Sequence, residues 1–287
     1  MFAVTGVTGK VGGTVAHALL TAGCPVRAVL RDPGKSEAWA ARGCEIAIAG
    51  ADNAAELTQA FTGVEAAFVM LPPIFDPTPG FQEGKEMIAS LRAALLQTKL
   101  SKIVVLSTIG ADAQQPNLLN QLGFLEHAPA ELPAPISFLR AAWFMENAAL
   151  DLASARNAGV IQSYLQPLDK PFPMVTTEDV GRVAAELLLE NSSGHHVVEL
   201  EGPRRVSPDD LAKAFANALG RPVKSEIVLR ERWEALFREE GMRNPTPRMQ
   251  MIDGFNAGWI EFAQHGANAR KGIRPINDVI AALANQK

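Results

Sequence analysis

The sequence predicts an α/β fold: a doubly wound parallel sheet with a smaller, mostly helical C-terminal lobe. Short apolar segments alternate with amphipathic helical segments through the first half of the chain. Segment 102–106, KIVVL, is continuously apolar, as strands are when helices cover both faces of a sheet. Beyond about residue 145 this alternation weakens, which predicts that a second lobe begins there.

Each predicted strand of the first half is a short apolar run that ends at a turn or at a breaker residue. The first run ends in a glycine-rich turn, and the fourth is stopped by Pro72 and Pro73. In chain order we predict strands at residues 1–5, 26–30, 44–49, 66–71, 102–106 and 136–139.

The helices between these strands are predicted from apolar residues that recur every three or four positions. The first helix begins near Val11 and can close at Gly23, and the second is stopped by Gly43. In chain order the helical segments are residues 11–22, 36–42, 54–61 and 87–95.

The second half contains fewer clear signals. Residues 144–156 are predicted to be helical, and residues 166–173, with three prolines, a loop. Thr177 and the two acids after it start a helix that continues to residue 189, and residues 196–200 form another strand of the main sheet. Ser207 and Pro208 open a further helix, and the remainder is predicted to be mostly helical. We therefore assign residues 1–150, with 175–202 returning, to a nucleotide-binding core, and residues 151–174 and 203–287 to a substrate or partner lobe.

Length and composition narrow the possible functions. A chain of 287 residues allows one large domain or two small ones, and a net charge of −4 argues against a nucleic-acid-binding protein. Two cysteines, Cys24 and Cys44, are too few for a disulfide framework. The first strand begins at residue 1, and no apolar run is long enough to span a bilayer. These features predict a cytoplasmic protein with no membrane partner.

The turn after the first strand carries the strongest functional signal. Gly6, Gly9 and Gly12 form a Gly-x-x-Gly-x-x-Gly pattern between a strand and an amphipathic helix. The first glycine permits a tight turn, the second lets backbone approach a pyrophosphate, and the third allows close packing of helix and sheet. Free amides of the helix N-terminus can then bind the phosphates. This pattern predicts a Rossmann-type dinucleotide site.

The end of the second strand predicts which dinucleotide binds. An acid at this position binds the ribose 2′-hydroxyl of NAD, whereas arginine accommodates the 2′-phosphate of NADP. Arg31 directly follows the strand, and Lys35 adds a second positive charge. Asp32 leaves NAD open as the alternative, in case the strand is one residue longer. We favour NADP because a guanidinium can bind phosphate with two parallel hydrogen bonds.

Several segments together are similar to one known family. VTGVTGKVGG, VLRDPGK, LSTIGA and FLRAAWFMEN resemble the NmrA-like family of atypical short-chain dehydrogenases/reductases. The resemblance covers about residues 1–230 and is most specific at the glycine turn and at FLRAAWFMEN. That family includes NADPH-dependent quinone-type reductases, phenylpropanoid reductases, and regulatory members that bind the cofactor to control transcription factors or to sense redox state.

The resemblance also implies positions for the site residues. Those around the pyrophosphate would be Gly6, Thr8, Gly9, Lys10 and Val11, with Arg31 at the 2′-phosphate. Leu71 and Pro72 would border the adenosine-side ribose and pyrophosphate, and Ser107 and Thr108 would lie near the nicotinamide. The substrate side would be lined by Trp143, Phe144 and Asn147, and Tyr164, beside a proline-rich loop, is a further candidate.

One difference from the usual pattern of the superfamily limits what can be inferred about the reaction. Typical members of the superfamily carry a Tyr-x-x-x-Lys pair on the helix after the fifth strand, where lysine lowers the pKa of the catalytic tyrosine. The corresponding stretch, residues 117–131, contains neither residue, and Tyr164 is the only tyrosine of the chain. No catalytic residue is therefore assigned.

Two functions remain. The first is an NADPH-dependent oxidoreductase that reduces a quinone-like or small carbonyl acceptor. The alternative is a redox-sensing regulatory protein that binds NADP(H) without turnover and signals to a protein partner. A nucleotide-sugar epimerase ranks lower because it needs the missing acid–base pair.

Other candidate residues have structural interpretations. Glu126 and His127 are expected to be a solvated or paired acid and a surface histidine. Adjacent histidines, His195 and His196, point to opposite faces of a strand, so no metal is expected there. The stripe around Trp233 and Phe237 is expected to be core or the face of a homodimer.

Overall fold

A central parallel sheet organises the protein. The computed structural model describes residues 1–128, 132 and 134–285, and the part of the chain so described contains an eight-stranded sheet. Its strands are β1 (Phe2–Thr5), β2 (Val26–Leu30), β3 (Glu45–Ile48), β4 (Ala66–Val69), β5 (Lys102–Thr108), β6 (Ile136–Ala141), β10 (His195–Glu201) and β12 (Arg270–Lys271). Their order across the sheet is β12-β10-β6-β5-β4-β1-β2-β3, and every neighbouring pair is parallel.

Outside this sheet, the described residues also form two pairs of short strands. β7 (Trp143–Phe144) pairs with β9 (Met174–Val175), and β8 (Val160–Ser163) pairs with β11 (Lys224–Ile227). The α-helices are α1 (Lys10–Thr21), α2 (Ser36–Ala40), α3 (Ala54–Phe61), α4 (Gln82–Leu96), α5 (Asn120–His127), α6 (Leu152–Ala158), α7 (Thr177–Leu189), α8 (Pro208–Leu219), α9 (Trp233–Glu239), α10 (Thr246–Ala257) and α11 (Ile276–Ala284).

Helices cover both faces of the central sheet, because alternate residues of its buried strands are apolar on each side. Val104 belongs to the cluster that contains α1, α7 and the C-terminal helices, whereas Val105 packs with α3, α4 and α5. α1 and α7 approach closely at Gly181, where an added Cβ would lie 2.5 Å from Cβ of Thr14. The predicted doubly wound fold is confirmed.

The strand order places a switch point between β1 and β4. From β1 the chain builds outward through β2 and β3 on one side, and then through β4, β5 and β6 on the other. In open α/β sheets ligands bind at such a point, beyond the carboxyl ends of the strands. The glycine turn leaves the sheet there.

The second half differs from the prediction at residues 144–156, and its short strands β8, β9, β11 and β12 were not predicted. Phe144 lies in β7, and a 3-10 helix (Met145–Asp151) precedes α6, so the stretch 144–156 is not one helix. β11 and β12 interrupt the region expected to be mostly helical. These strands are only two to four residues long, too short to show an alternating pattern.

The aromatic residues around Trp233 and Phe237 belong to the core, as one of the two expectations for them states. Trp233 and Phe237 are fully buried, and the indole N–H of Trp233 donates to the Val228 carbonyl at 2.8 Å. No helix of residues 1–128 or 134–285 is long and apolar enough to cross a membrane.

Candidate functional site

The glycine turn has the close packing that its spacing predicts. Gly6 has φ +66°, which favours glycine, and the Gly9 amide donates to the Gly6 carbonyl at 2.9 Å. Gly12 lies in the first turn of α1, where an added Cβ would lie 2.4 Å from the Gly6 carbonyl oxygen. Only glycine fits at Gly12 without moving the turn.

The N-terminus of α1 can bind an anion. Gly9 is its N-cap, and within the described residues no side chain accepts from the amides of the first turn. The amides of Lys10 and Val11 therefore lie at the positive end of the helix dipole. Thr8 and the Lys10 side chain are exposed beside them. This arrangement fits a pyrophosphate.

The geometry after β2 distinguishes Arg31 from Asp32. β2 ends at Leu30, so Arg31 is the first residue beyond the strand. Oδ1 of Asp32 accepts from the Gly34 amide at 2.9 Å and caps the 3-10 turn Pro33–Lys35. Arg31 and Lys35 are both exposed. One carboxylate oxygen of Asp32 is thus engaged in the turn, and the exposed cations Arg31 and Lys35 are available to a ligand phosphate.

The segment after β4 contacts the glycine turn directly. β4 ends at Val69, two residues earlier than predicted, so Leu71 and Pro72 lie in the connection that follows it. The Met70 amide donates to Oγ1 of Thr5 at 3.0 Å. An added Cβ on Gly6 would lie 2.8 Å from the Met70 sulfur. Leu71 and Pro72 are half-buried beside this contact.

Ser107, the penultimate residue of β5, lies beside a largely buried ion pair between Glu126 and Arg140. Its side chain is 3% exposed, and its hydroxyl donates to Oε1 of Glu126 on α5 at 2.5 Å. Arg140 of β6 donates to both Glu126 oxygens, at 2.9 and 2.7 Å, and to Asp112 at 2.7 Å. The hydroxyl proton of Ser107 is therefore directed at Glu126. Thr108 projects to the opposite face of the sheet and is half-buried.

Arg140 and Glu126 neutralise each other inside the protein. Burial opposes the charge on Arg140, but the hydrogen bonds and charges of Glu126 and Asp112 outweigh it and raise the pKa of the guanidinium. Three hydrogen bonds, one from Ser107 and two from Arg140, converge on the Glu126 carboxyl group. Typical members of the superfamily carry the acid–base pair on the helix after the fifth strand, and in this protein that helix contributes Glu126 to a salt bridge with Arg140. Residues 129–131 of the stretch lie outside the described residues.

The predicted substrate residues follow β6 at the same edge of the sheet. Trp143 and Phe144 are half-buried, and the Trp143 ring packs edge-on against Phe255 with centroids 5.3 Å apart. Asn147 is exposed in the following 3-10 helix. The elements of the C-terminal lobe thus contact the end of β6 through aromatic rings.

Tyr164 lies in a different aromatic cluster of the lobe. Its ring stacks on Phe237 at 5.1 Å and meets Trp233 edge-on at 5.7 Å. Burial, with a contribution from Glu240, raises the pKa of Tyr164 above its ordinary value. These contacts give Tyr164 a packing role, and the structure does not bring its ring against Trp143 or Phe144.

Other charged candidates are surface or structural groups. His127 is exposed, and its Nδ1 lies 2.6 Å from the Gly123 carbonyl oxygen. His196 contacts Ser137, and His195 packs on Phe138. Among the described residues, no cluster of His, Cys, Asp or Glu is arranged to hold a metal ion.

Comparisons with known proteins agree with this architecture. The model of the NmrA-like family matches residues 1–257. The chain belongs to the NmrA-like family. It is 26% identical over 243 residues to an NAD(P)H azoreductase from Xenophilus azovorans, covering 84% of this chain and 82% of that protein.

Two further proteins to which the chain is similar are also named as reductases. A (4-alkanoyl-5-oxo-2,5-dihydrofuran-3-yl)methyl phosphate reductase from Streptomyces griseus is 29% identical over 226 residues, 79% of this chain and 76% of that protein. The crystal structure of an NADPH-dependent quinone oxidoreductase from Escherichia coli, in complex with NADPH, matches with a TM-score of 0.81 at 23% identity, covering 99% of this chain and 100% of that one. That likeness establishes the shared fold.

Three residues that matter to the geometry were not predicted as site residues. Arg140 is the one charged residue of the strand ISFLRA, and a charge in a strand of the central sheet is the signal that could have found it. Asp112 follows β5 by four residues and pairs with Arg140. Asp76 lies in the proline-rich connection after β4, and its partners are more than 160 residues away in the chain.

Proposed function

We propose that this protein binds NADP(H) and transfers a hydride to a small electron-poor acceptor of the quinone or azo class. The glycine turn at the switch point carries the proposal, because its packing leaves the first amides of α1 available to a pyrophosphate. Arg31 and Lys35 supply positive charge for the 2′-phosphate, while Asp32 is held by the Gly34 amide. The azoreductase and quinone reductase relatives support the same cofactor and acceptor class.

The cluster of Ser107, Glu126 and Arg140 favours this class of acceptor. Carbonyl reduction to an alcohol needs a positioned acid, whereas a reduced quinone or azo group can take its protons from water. Glu126 is held by a bidentate guanidinium, and the Ser107 hydroxyl donates to it, so neither group offers a proton to a substrate.

The work of the protein is then orientation. When bound, NADPH supplies the hydride. The glycine turn and Arg31 hold the phosphates, and Trp143 and Phe144 form an apolar surface on the substrate side. Proximity and alignment would supply most of the rate acceleration, because Ser107 and Glu126 are engaged with each other and with Arg140.

The test is NADPH oxidation with a panel of acceptors, comparing quinones and azo dyes with simple ketones and aldehydes. We expect turnover with quinones or azo dyes and none with unactivated ketones. Rapid reduction of simple ketones would contradict the argument from the Glu126 salt bridge.

A second candidate function is regulatory. A protein that binds NADP(H) and signals the redox state of the cofactor to a protein partner needs no proton donor. The Glu126–Arg140 ion pair, which stands where the acid–base pair is usually found, is therefore compatible with this function too. Tight NADPH binding without turnover on any acceptor would favour this alternative.

A further inference from the structure

The connection between β4 and α4 forms a strap over the carboxyl edge of the sheet. We use this name for residues 70–81, which contain Pro72, Pro73, Pro77 and Pro79 and have no regular secondary structure. Connections in α/β units are commonly two to six residues, so a strap of twelve is long for its position. Long ordered connections of this kind usually serve a functional purpose.

The first end of the strap is fixed to the glycine turn. Met70 donates its amide to Thr5, and its sulfur lies against Gly6. The strap therefore starts where the proposed function places the pyrophosphate. At its other end Gly80 and Phe81 both have left-handed backbone, with φ of +82° and +60°, and turn the chain into α4.

The middle of the strap is fastened to the C-terminal lobe by one carboxylate. Oδ2 of Asp76 accepts from the Arg243 amide at 2.9 Å, and Oδ1 accepts from the Asn244 amide at 2.7 Å. The Asn244 side chain returns a hydrogen bond to the Pro77 carbonyl at 2.9 Å. We call this set of contacts the Asp76 clasp.

The charge state of Asp76 suits this role. Hydrogen bonds from the Arg243 and Asn244 amides lower the pKa of the carboxyl, which keeps it ionised at neutral pH. Charge-assisted hydrogen bonds are stronger than those between neutral groups. The Asp76 side chain remains about one-quarter exposed, so water can compete for it when the strap moves.

The strap is thus fixed to the glycine turn at one point and to the C-terminal lobe at another, so it bridges these two parts of the protein. We propose that Asp76 is a positioning residue that keeps the strap closed, and that opening of the Asp76 clasp limits dinucleotide exchange. This inference rests on the proposed NADP(H) site, and it adds a specific residue that controls how long the cofactor stays bound.

The test measures NADPH release by stopped-flow fluorescence, chasing the preformed complex with excess NADP⁺. We expect Asp76→Ala to raise the dissociation rate constant by about tenfold or more, because it removes two charge-assisted hydrogen bonds. Asp76→Asn retains one acceptor oxygen, so its rate should lie between those of Asp76→Ala and wild type. Asp52→Asn removes one charge from an exposed loop position and should leave the rate unchanged.

Asn244→Ala provides a second, milder opening of the same clasp. It removes the bond to Pro77 but leaves both amide donors to Asp76, so we expect a smaller increase in the release rate. It also tests the idea if Asp76→Ala does not fold.

Two outcomes would overturn the inference in distinguishable ways. If wild type binds NADPH and its release rate is the same in Asp76→Ala and Asn244→Ala, the Asp76 clasp does not control cofactor exchange. That conclusion holds even if both variants are less stable than wild type. If wild type does not bind NADPH, the proposed function fails first and the clasp inference fails with it.

Discussion

Gly12→Ala should damage the cofactor site more than any other single methyl addition in the glycine turn. The new Cβ would lie 2.4 Å from the Gly6 carbonyl oxygen, 2.5 Å from its carbon and 2.7 Å from the Thr5 oxygen. Ordinary contact begins at 3.4 Å, and all three neighbours are backbone atoms that cannot rotate away. α1 must therefore move from β1 by several tenths of an ångström or more, at a cost of about 3 kcal/mol, the upper part of the range for overpacked cores.

The assay combines urea unfolding followed by circular dichroism with NADPH titration of the folded variant. Gly13→Ala is the matched comparison, because its nearest contact is a single backbone oxygen at 3.0 Å. Better helix propensity, worth up to about 1 kcal/mol, offsets that contact. We expect Gly13→Ala to change stability by less than about 1 kcal/mol, and Gly12→Ala to lose most NADPH affinity. Equal stability and equal NADPH affinity in the two variants would refute the packing argument.

Two further predictions concern buried charges. Arg140→Met leaves Glu126 buried without its guanidinium partner and should lower the free energy of unfolding by about 3–5 kcal/mol. The double variant Glu126→Gln, Arg140→Met should recover part of this loss, because it removes the buried charge as well. Equal urea midpoints for the single and double variants would contradict this prediction. Asp179 is 1% exposed, and although burial alone would raise its pKa, hydrogen bonds from Arg274, Ile273, Arg182 and Thr176 lower it below the ordinary 3.8. Its folded pKa is the lower one, so its stabilisation is complete above the unfolded pKa and is lost as the pH falls through the folded pKa. The difference in unfolding free energy between wild type and Asp179→Ala should accordingly be constant near neutral pH, at about 3 kcal/mol or more, and should shrink in acid; a difference that does not vary with pH would count against an ionised Asp179.

The core of the fold was predictable because local sequence and tertiary packing agree there. β1, β4 and the centre of β5 are apolar runs, β2 follows Pro25, and β1 ends directly before Gly6. α1 and α3 repeat apolar residues at helical spacing. The glycine turn is also local, since its three glycines act within one turn and one helix.

The ion-pair cluster was not predictable because it depends on strand register. Ser107 and Arg140 are neighbours because β5 and β6 pair residue for residue, and α5 then brings Glu126 over both. No short-range sequence pattern predicts that these three residues come into contact. The sequence could show only a charge in an apolar strand and an acid on a helix.

The lobe was harder to predict for the same reason. β7 pairs with residues 174–175, and β8 pairs with residues 224–227. Each strand depends on a partner far away in the chain, so its own short sequence does not predict it. The Asp76 clasp joins residues separated by 167 and 168 positions. Interactions of this range follow from the assembled fold rather than from any segment.

The most direct test of the central claim is calorimetric titration of wild type and Arg31→Ala with NADPH and with NADH. We predict that wild type binds NADPH more tightly than NADH, and that Arg31→Ala loses most of this difference while retaining NADH affinity. Equal affinity of wild type for the two coenzymes would contradict the role assigned to Arg31. Absence of binding heat with both, in folded protein, would contradict the dinucleotide site itself.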